Sequence, residues 1–131
     1  MDVKRILYVD DDEAMLRIVA ATLPRLSGVE VVTATSGAHG LALLGQQRFD
    51  LVLLDYELPD FDGADLCAEV RMRIGASTPV VFLSGHEDGP ERRAAMEAGA
   101  SVFLRKPCPP AAIAAGIAPL LRERALDPVQ P

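Results

Sequence analysis

The 131-residue chain lacks features that define several large classes of protein, among them cysteine motifs and long apolar runs. It has no tryptophan and two cysteines, Cys67 and Cys108, which stand far apart and form no CxxC motif. We therefore predict two buried free thiols rather than a disulfide or a metal site. No apolar run approaches the ~18 residues that a membrane span needs, and the strand pattern that begins near residue 5 leads us to expect no signal peptide. We expect a soluble, cytoplasmic protein.

Positive charge is also scarce, with 13 Lys and Arg against 19 Asp and Glu and a net charge of −6. No stretch is rich in lysine and arginine, which argues against direct binding of nucleic acid. The acidic residues are unevenly placed, since Asp10, Asp11, Asp12 and Glu13 are consecutive. Carboxylates this close together favour a bound cation or a helix N-terminus.

Short apolar runs alternate with helical patterns along the chain. The apolar runs predict five buried strands at Arg5–Val9, Glu30–Ala34, Leu51–Leu54, Val80–Leu83 and Ser101–Leu104. The helical patterns predict helices at Glu13–Leu26, Gly37–Gln47, Asp62–Arg73, Pro90–Ala98 and Pro109–Arg124. This alternation is typical of an α/β fold in which helices cover both faces of a parallel sheet. We assign residues 1–126 to this single domain and residues 127–131 to a flexible C-terminal tail.

Polar residues follow four of the predicted strands, at the sheet edge where α/β proteins bind ligands. Asp10 and Asp11 follow strand one, Asp55 follows strand three, Ser84 strand four and Lys106 strand five. Three carboxylates that meet at this edge would repel one another unless a cation lay between them. Oxygen ligands of this kind suit Mg²⁺, so we predict a magnesium site here.

The same residues suggest phosphoryl chemistry at Asp55. A carboxylate can attack phosphorus and form an acyl phosphate. The reaction needs the charge on the phosphoryl oxygens to be neutralised, which Mg²⁺ and the Lys106 ammonium could do from two sides. The Ser84 hydroxyl could bind a third oxygen. The competing interpretation of the acidic run is that it only caps the first helix, a role that we assign to Asp12.

Taken together and in this order, these motifs resemble the receiver domain of two-component response regulators, from Lys4 to Arg124. The matching motifs are Val9-Asp10-Asp11, Asp55 followed by Pro59 and Asp62-Gly63, Ser84, Ala98-Gly99-Ala100 and Lys106-Pro107. Each motif is weak alone, but the ordered set is specific. The resemblance implies a flavodoxin-like, three-layer (βα)5 fold with strand order 2-1-3-4-5.

The resemblance also implies a role for each of these residues. Asp55 would be the phosphoacceptor, and Ser84 and Lys106 would hold the phosphoryl group. The resemblance implies that Mg²⁺ is bound by the following groups: Asp10, Asp11, Asp55 and the backbone carbonyl of Glu57. It implies a cis bond between Lys106 and Pro107. Phe103 matches an aromatic switch position whose ring turns inward when Ser84 moves toward the phosphate, although plain core packing explains a strand-five aromatic equally well.

A receiver domain takes part in phosphorelay signal transduction and is a phosphoprotein rather than an enzyme acting on other molecules. The resemblance implies phosphorylation by a sensor histidine kinase or a histidine phosphotransfer protein. The surface of helix 4, strand 5 and helix 5 would then switch and bind a downstream protein or a second copy. Among the residues that depart from the common pattern, Glu57 and His86 flank the phosphoacceptor site, and we expect them to influence the lifetime of the acyl phosphate.

Three alternatives share parts of this pattern. An aspartyl phosphatase of the haloacid dehalogenase kind needs a DxDx(T/V) motif on strand one, whereas Asp55-Tyr56-Glu57 lacks the second aspartate and lies on strand three. A flavodoxin needs a phosphate-binding loop after strand one, which this sequence lacks. The remaining alternative is a receiver-like interaction module with little or no phosphorylation.

Overall fold

The computed structural model describes residues 3–85 and 89–126; the predicted tail at 127–131 and His86 lie outside them. The described chain forms one parallel sheet in the order β2-β1-β3-β4-β5. Its strands are β1 (Arg5–Val9), β2 (Glu30–Ala34), β3 (Leu51–Asp55), β4 (Val80–Ser84) and β5 (Val102–Arg105). The helices are α1 (Glu13–Ser27), α2 (Gly37–Leu44), α3 (Gly63–Ile74), α4 (Pro90–Glu97) and α5 (Pro110–Leu126). The predicted flavodoxin-like fold and strand order are confirmed.

The element ends differ from the sequence prediction by a few residues. Helix α2 ends at Leu44 rather than at Gln47, and Gly45 follows as its C-cap residue. Strands β3 and β4 each run one residue further than predicted, to Asp55 and Ser84. Both of these polar residues therefore belong to the sheet, and their backbones are held by the hydrogen bonds of the ladder.

The sheet separates two hydrophobic layers because successive strand residues point to opposite faces. The layer under α1 and α5 contains Ile6, Tyr8, Leu16, Val19, Leu23, Leu53, Ile113 and Ile117. The layer under α2, α3 and α4 contains Leu7, Val9, Leu54, Leu66, Cys67, Val70, Phe82 and Ala95. Both cysteines are buried free thiols, as predicted. Within the described ranges, no helix is both long and apolar enough to cross a membrane.

Side chains cap the starts of α1 and α2, which lie near the carboxyl ends of the strands. Asp12 caps α1 by accepting a hydrogen bond from the Met15 N–H, and Ser36 caps α2 in the same way. Asp60 adds a contact that the sequence did not predict. Its two carboxylate oxygens accept hydrogen bonds from the backbone N–H groups of Gly37 and Ala38, both at 3.0 Å. The loop between β3 and α3 is thereby attached to the start of α2.

Candidate functional site

The structure brings the predicted site residues together at the carboxyl ends of the strands. Asp10 directly follows β1, Asp55 ends β3, Ser84 ends β4, and Lys106 directly follows β5. These strands are neighbours in the sheet, so their ends lie side by side. These side chains lie at the ends of the strands because the apolar residues of each strand are followed there by polar ones.

Three carboxylates form the acidic part of the site. Asp10, Asp11 and Asp55 each offer one oxygen, and these oxygens lie within 4.8 Å of one another. Asp10 and Asp55 are 1% and 2% exposed, whereas Asp11 is open to solvent. Hard cations such as Mg²⁺ prefer carboxylate oxygens and keep part of their water shell. Two buried carboxylates and one exposed carboxylate fit such an ion.

Asp10 is held by a residue that the sequence analysis missed. The Tyr8 hydroxyl donates a 2.5 Å hydrogen bond to Asp10 Oδ2, and the Asp12 N–H donates a 2.9 Å bond to Asp10 Oδ1. Burial, and then the hydrogen bond to Asp10, raise the pKa of Tyr8, so the phenol stays a neutral donor. Burial also raises the pKa of Asp10, although both hydrogen bonds act against this. The spacing of Tyr8 and Asp10 could have indicated this contact, since residues two apart in extended chain share a face.

The ammonium group of Lys106 is hydrogen-bonded to Asp55, the predicted phosphoacceptor. Lys106 Nζ lies 3.0 Å from Asp55 Oδ1, an oxygen that also accepts a 3.2 Å hydrogen bond from the Glu57 N–H. Burial lowers the pKa of Lys106, but the hydrogen bond to Asp55 and the surrounding negative charges outweigh it and raise the pKa above its ordinary value. The lysine is therefore a cation at neutral pH. The bond between Lys106 and Pro107 is cis, as the resemblance implied.

Ser84 makes a contact that the sequence did not indicate. Its side chain is fully buried, and Ser84 Oγ donates a 2.8 Å hydrogen bond to Glu57 Oε2. The sequence assigned the backbone carbonyl of Glu57 to the metal site and placed Glu57 beside the phosphoacceptor, as an expected influence on the lifetime of the acyl phosphate. The structure adds the partner of its side chain, the Ser84 hydroxyl.

Phe103 lies in a cluster of aromatic rings beside the site. Its ring centroid is 5.7 Å from that of Tyr56 and 6.1 Å from that of Phe82, and the residue is 7% exposed. The guanidinium carbon of Arg92 on α4 lies 5.7 Å from the centre of the Phe103 ring. The Phe103 ring thus packs in the core and also contacts α4. This position is compatible with both interpretations of Phe103 from the sequence, core packing and an aromatic switch.

Tyr56 is a second aromatic that sequence reasoning missed, although it directly follows Asp55. It packs edge-on against Phe82 with centroids 5.3 Å apart. Gly63 makes room for it, because a Cβ at that position would lie 2.3 Å from the Tyr56 ring. Each residue of the Asp62-Gly63 motif therefore has a structural role. Asp62 caps α3, and Gly63 leaves room for the Tyr56 ring.

Residues 6–118 match the model of the response regulator receiver domain. The chain is similar to the transcriptional regulatory protein PrrA of Mycobacterium tuberculosis, with 38% identity over 120 residues, which cover 92% of this chain and 51% of PrrA. Its fold is similar to that of a CheY-like response regulator receiver domain protein from Methanospirillum hungatei. That crystal structure has a TM-score of 0.87 and 28% identity and covers 96% of this chain and 99% of the other.

A further solved structure is that of a response regulator protein from Burkholderia pseudomallei with a phosphorylated aspartic acid, a calcium ion and citrate. It has a TM-score of 0.80 and 25% identity, and the match covers 98% of this chain and 75% of that one. The chain spans between 22% and 51% of the length of the first curated relatives that it matches. The match to the family model covers most of the sequence, and the chain belongs to the response regulator receiver domain family.

Proposed function

We propose that the chain is a phosphorylation-activated receiver that takes a phosphoryl group onto Asp55 from a sensor histidine kinase or a histidine phosphotransfer protein. The observation that carries this proposal is the position of Asp55, which is buried, bonded to the Lys106 ammonium, and within 4.8 Å of two further carboxylates. The Burkholderia neighbour, whose structure contains a phosphorylated aspartic acid, supports the same chemistry here.

In the proposed reaction, an oxygen of Asp55 attacks the phosphorus of a phosphohistidine. The new O–P bond forms as the P–N bond of the donor breaks, and the electron pair leaves with the imidazole nitrogen, which is then protonated. Lys106 neutralises charge on the transferred group and Ser84 offers a hydroxyl to one of its oxygens. Asp10, Asp11, Asp55 and the Glu57 carbonyl would hold Mg²⁺, which supplies positive charge next to the phosphoryl oxygens.

The proposed output surface consists of α4, β5 and α5. Two contacts connect it to the site: Arg92 of α4 stacks on Phe103 of β5, and Phe103 packs against Tyr56, the residue after the phosphoacceptor. Phosphorylation would shift the population of two arrangements of this surface and so favour binding of a downstream protein or a second copy. The proposed location of this activity is the cytoplasm, and the chain would act on no substrate other than its own acyl phosphate.

Incubation with acetyl phosphate and Mg²⁺, followed by intact mass measurement, tests this function. Wild-type protein should gain the mass of one phosphoryl group, and Asp55→Asn should gain none. Asp65→Asn, which removes an exposed carboxylate on α3, is the matched control and should be labelled normally. Omission of Mg²⁺ should abolish labelling. Labelling of Asp55→Asn to the wild-type extent would contradict the proposal, and an unlabelled wild type would favour the alternative of a receiver-like interaction module.

A further inference from the structure

Four hydrogen bonds connect Asp55, Glu57, Ser84 and Lys106 in a closed ring. Asp55 Oδ1 accepts from Lys106 Nζ at 3.0 Å and from the Glu57 N–H at 3.2 Å. The Lys106 N–H donates to the Ser84 carbonyl oxygen at 2.7 Å. The contact that closes the ring is the 2.8 Å bond from Ser84 Oγ to Glu57 Oε2, which joins the end of β4 to the loop after β3.

The hydroxyl of Ser84 carries one proton and can donate one hydrogen bond at a time. In the proposed function this donor is needed by an oxygen of the phosphoryl group on Asp55. In the structure it is donated to the carboxylate of Glu57 instead. Both acceptors are anionic oxygens, which form stronger hydrogen bonds than neutral acceptors do. They therefore compete for the same proton.

We propose that Glu57 is a positioning residue that holds the Ser84 hydroxyl on its own carboxylate, so that a phosphoryl oxygen on Asp55 must displace Glu57 to obtain it. This inference rests on the proposed function and adds regulation to it, because Glu57 weakens retention of the phosphoryl group. Glu57 is solvent-exposed and Ser84 is fully buried. Water can therefore solvate the displaced glutamate carboxylate, while the Ser84 hydroxyl turns toward the phosphoryl group.

A double-mutant cycle tests this competition, with beryllofluoride as the probe of the phosphoryl site in the presence of Mg²⁺. Glu57→Ala keeps the backbone carbonyl and removes the competing acceptor, so it should bind beryllofluoride about fivefold more tightly, as expected for the loss of one hydrogen bond. Ser84→Ala should bind it more weakly than wild type. In the Ser84→Ala background, Glu57→Ala should have no further effect, because the contested proton is gone.

Two variants control for charge and for general effects of truncation. Glu57→Gln keeps an oxygen acceptor without the charge and should fall between wild type and Glu57→Ala. Glu30→Ala removes an exposed glutamate at the opposite end of the sheet and should bind as wild type does. Equal tightening by Glu57→Ala with and without the Ser84 hydroxyl would overturn the inference, since charge repulsion alone would then explain the effect. An unchanged affinity of Glu57→Ala would overturn it too.

A second measurement needs no phosphoryl mimic and separates this inference from the proposed function. In ¹H–¹⁵N spectra of the protein alone, Glu57→Ala should move the Ser84 amide resonance, and Glu30→Ala should not. An unmoved Ser84 resonance refutes the holding contact even if wild type is phosphorylated normally. If the wild type neither accepts phosphate nor binds beryllofluoride, the proposed function is wrong, and so is the competition that rests on it. A shifted Ser84 resonance would in that case still support the contact between Ser84 and Glu57.

Discussion

Arg71 on α3 donates two hydrogen bonds to the carbonyl oxygen of Gly99, from Nε at 3.0 Å and from a terminal nitrogen at 2.7 Å. The same guanidinium donates to the carbonyl oxygens of Gly75 and Thr78. Gly99 has a positive φ of 112°, and a Cβ there would lie 2.9 Å from Arg71 Nε. One side chain therefore joins the loop after α3 to the loop between α4 and β5, next to the proposed output surface.

We expect Arg71→Ala to lower the free energy of unfolding by about 2 kcal/mol or more, because charge-assisted hydrogen bonds to several carbonyl groups are lost. Arg71→Lys should recover little of this, since an ammonium cannot reproduce the planar fork of donors. Urea denaturation measures both effects. Arg73→Ala is the control and should cost under about 1 kcal/mol, because Arg73 forms an exposed pair with Glu69. Equal losses for the two arginines would contradict this prediction.

Tyr8→Phe tests the buried hydrogen bond to Asp10. The ring packing is retained, but a buried carboxylate loses one donor, so the free energy of unfolding should fall by about 2 kcal/mol. The loss of orientation at Asp10 should also weaken Mg²⁺ binding, measured by titration calorimetry. Tyr56→Phe removes the hydroxyl of the other tyrosine and is the control. Mg²⁺ affinities that are equal in wild type and Tyr8→Phe would show that the phenol does not position the carboxylate.

The attachment of Asp60 to α2 should depend on pH. Slight burial raises the pKa of Asp60, but the hydrogen bonds from the Ala38 and Gly37 N–H groups outweigh this and lower the pKa below its ordinary value. A lowered pKa in the folded state means that the stabilisation is present above the unfolded pKa of ~3.9 and is lost as the pH falls through the folded value.

Asp60→Ala should therefore destabilise the protein by about 1 kcal/mol at neutral pH, as expected for the loss of a helix N-terminal acceptor. Urea denaturation from pH about 6 to about 3 should show this difference shrinking as the pH falls. Asp60→Asn keeps an acceptor oxygen and should show a weaker dependence on pH. A wild-type advantage that stays constant down to the acid end would contradict the assignment.

Ser84→Ala tests the coupling between the site and Phe103. The variant should still be labelled by acetyl phosphate, because Asp55 and Lys106 are intact. The chemical-shift changes around Phe103 that follow phosphorylation should be smaller than in wild type, since the proposed coupling runs through the Ser84 hydroxyl. Ser27→Ala at the end of α1 is the control. Full-sized changes in Ser84→Ala would show that the coupling takes another route.

Patterns in neighbouring residues were sufficient to predict the α/β class, the order of the elements and, to within one residue, the ends of the strands that carry Asp55 and Ser84. Helix caps such as Asp12 were predictable for the same reason, because the cap and its partner are three residues apart. The flavodoxin-like strand order came from the resemblance of the ordered motifs rather than from periodicity. Burial of both cysteines also agreed with the prediction, which rested on their wide separation and on the absence of a CxxC motif.

The sequence by itself determined which chemical groups stand at the ends of the strands, because the position and length of an apolar run are local properties. Only the tertiary structure decided which of those groups are bonded to one another. The hydrogen bond from Ser84 to Glu57 joins residues 27 apart in sequence, and that from Arg71 to Gly99 joins residues 28 apart. Such partners are chosen by the packing of separate loops and by side-chain rotamers, and no local pattern encodes either.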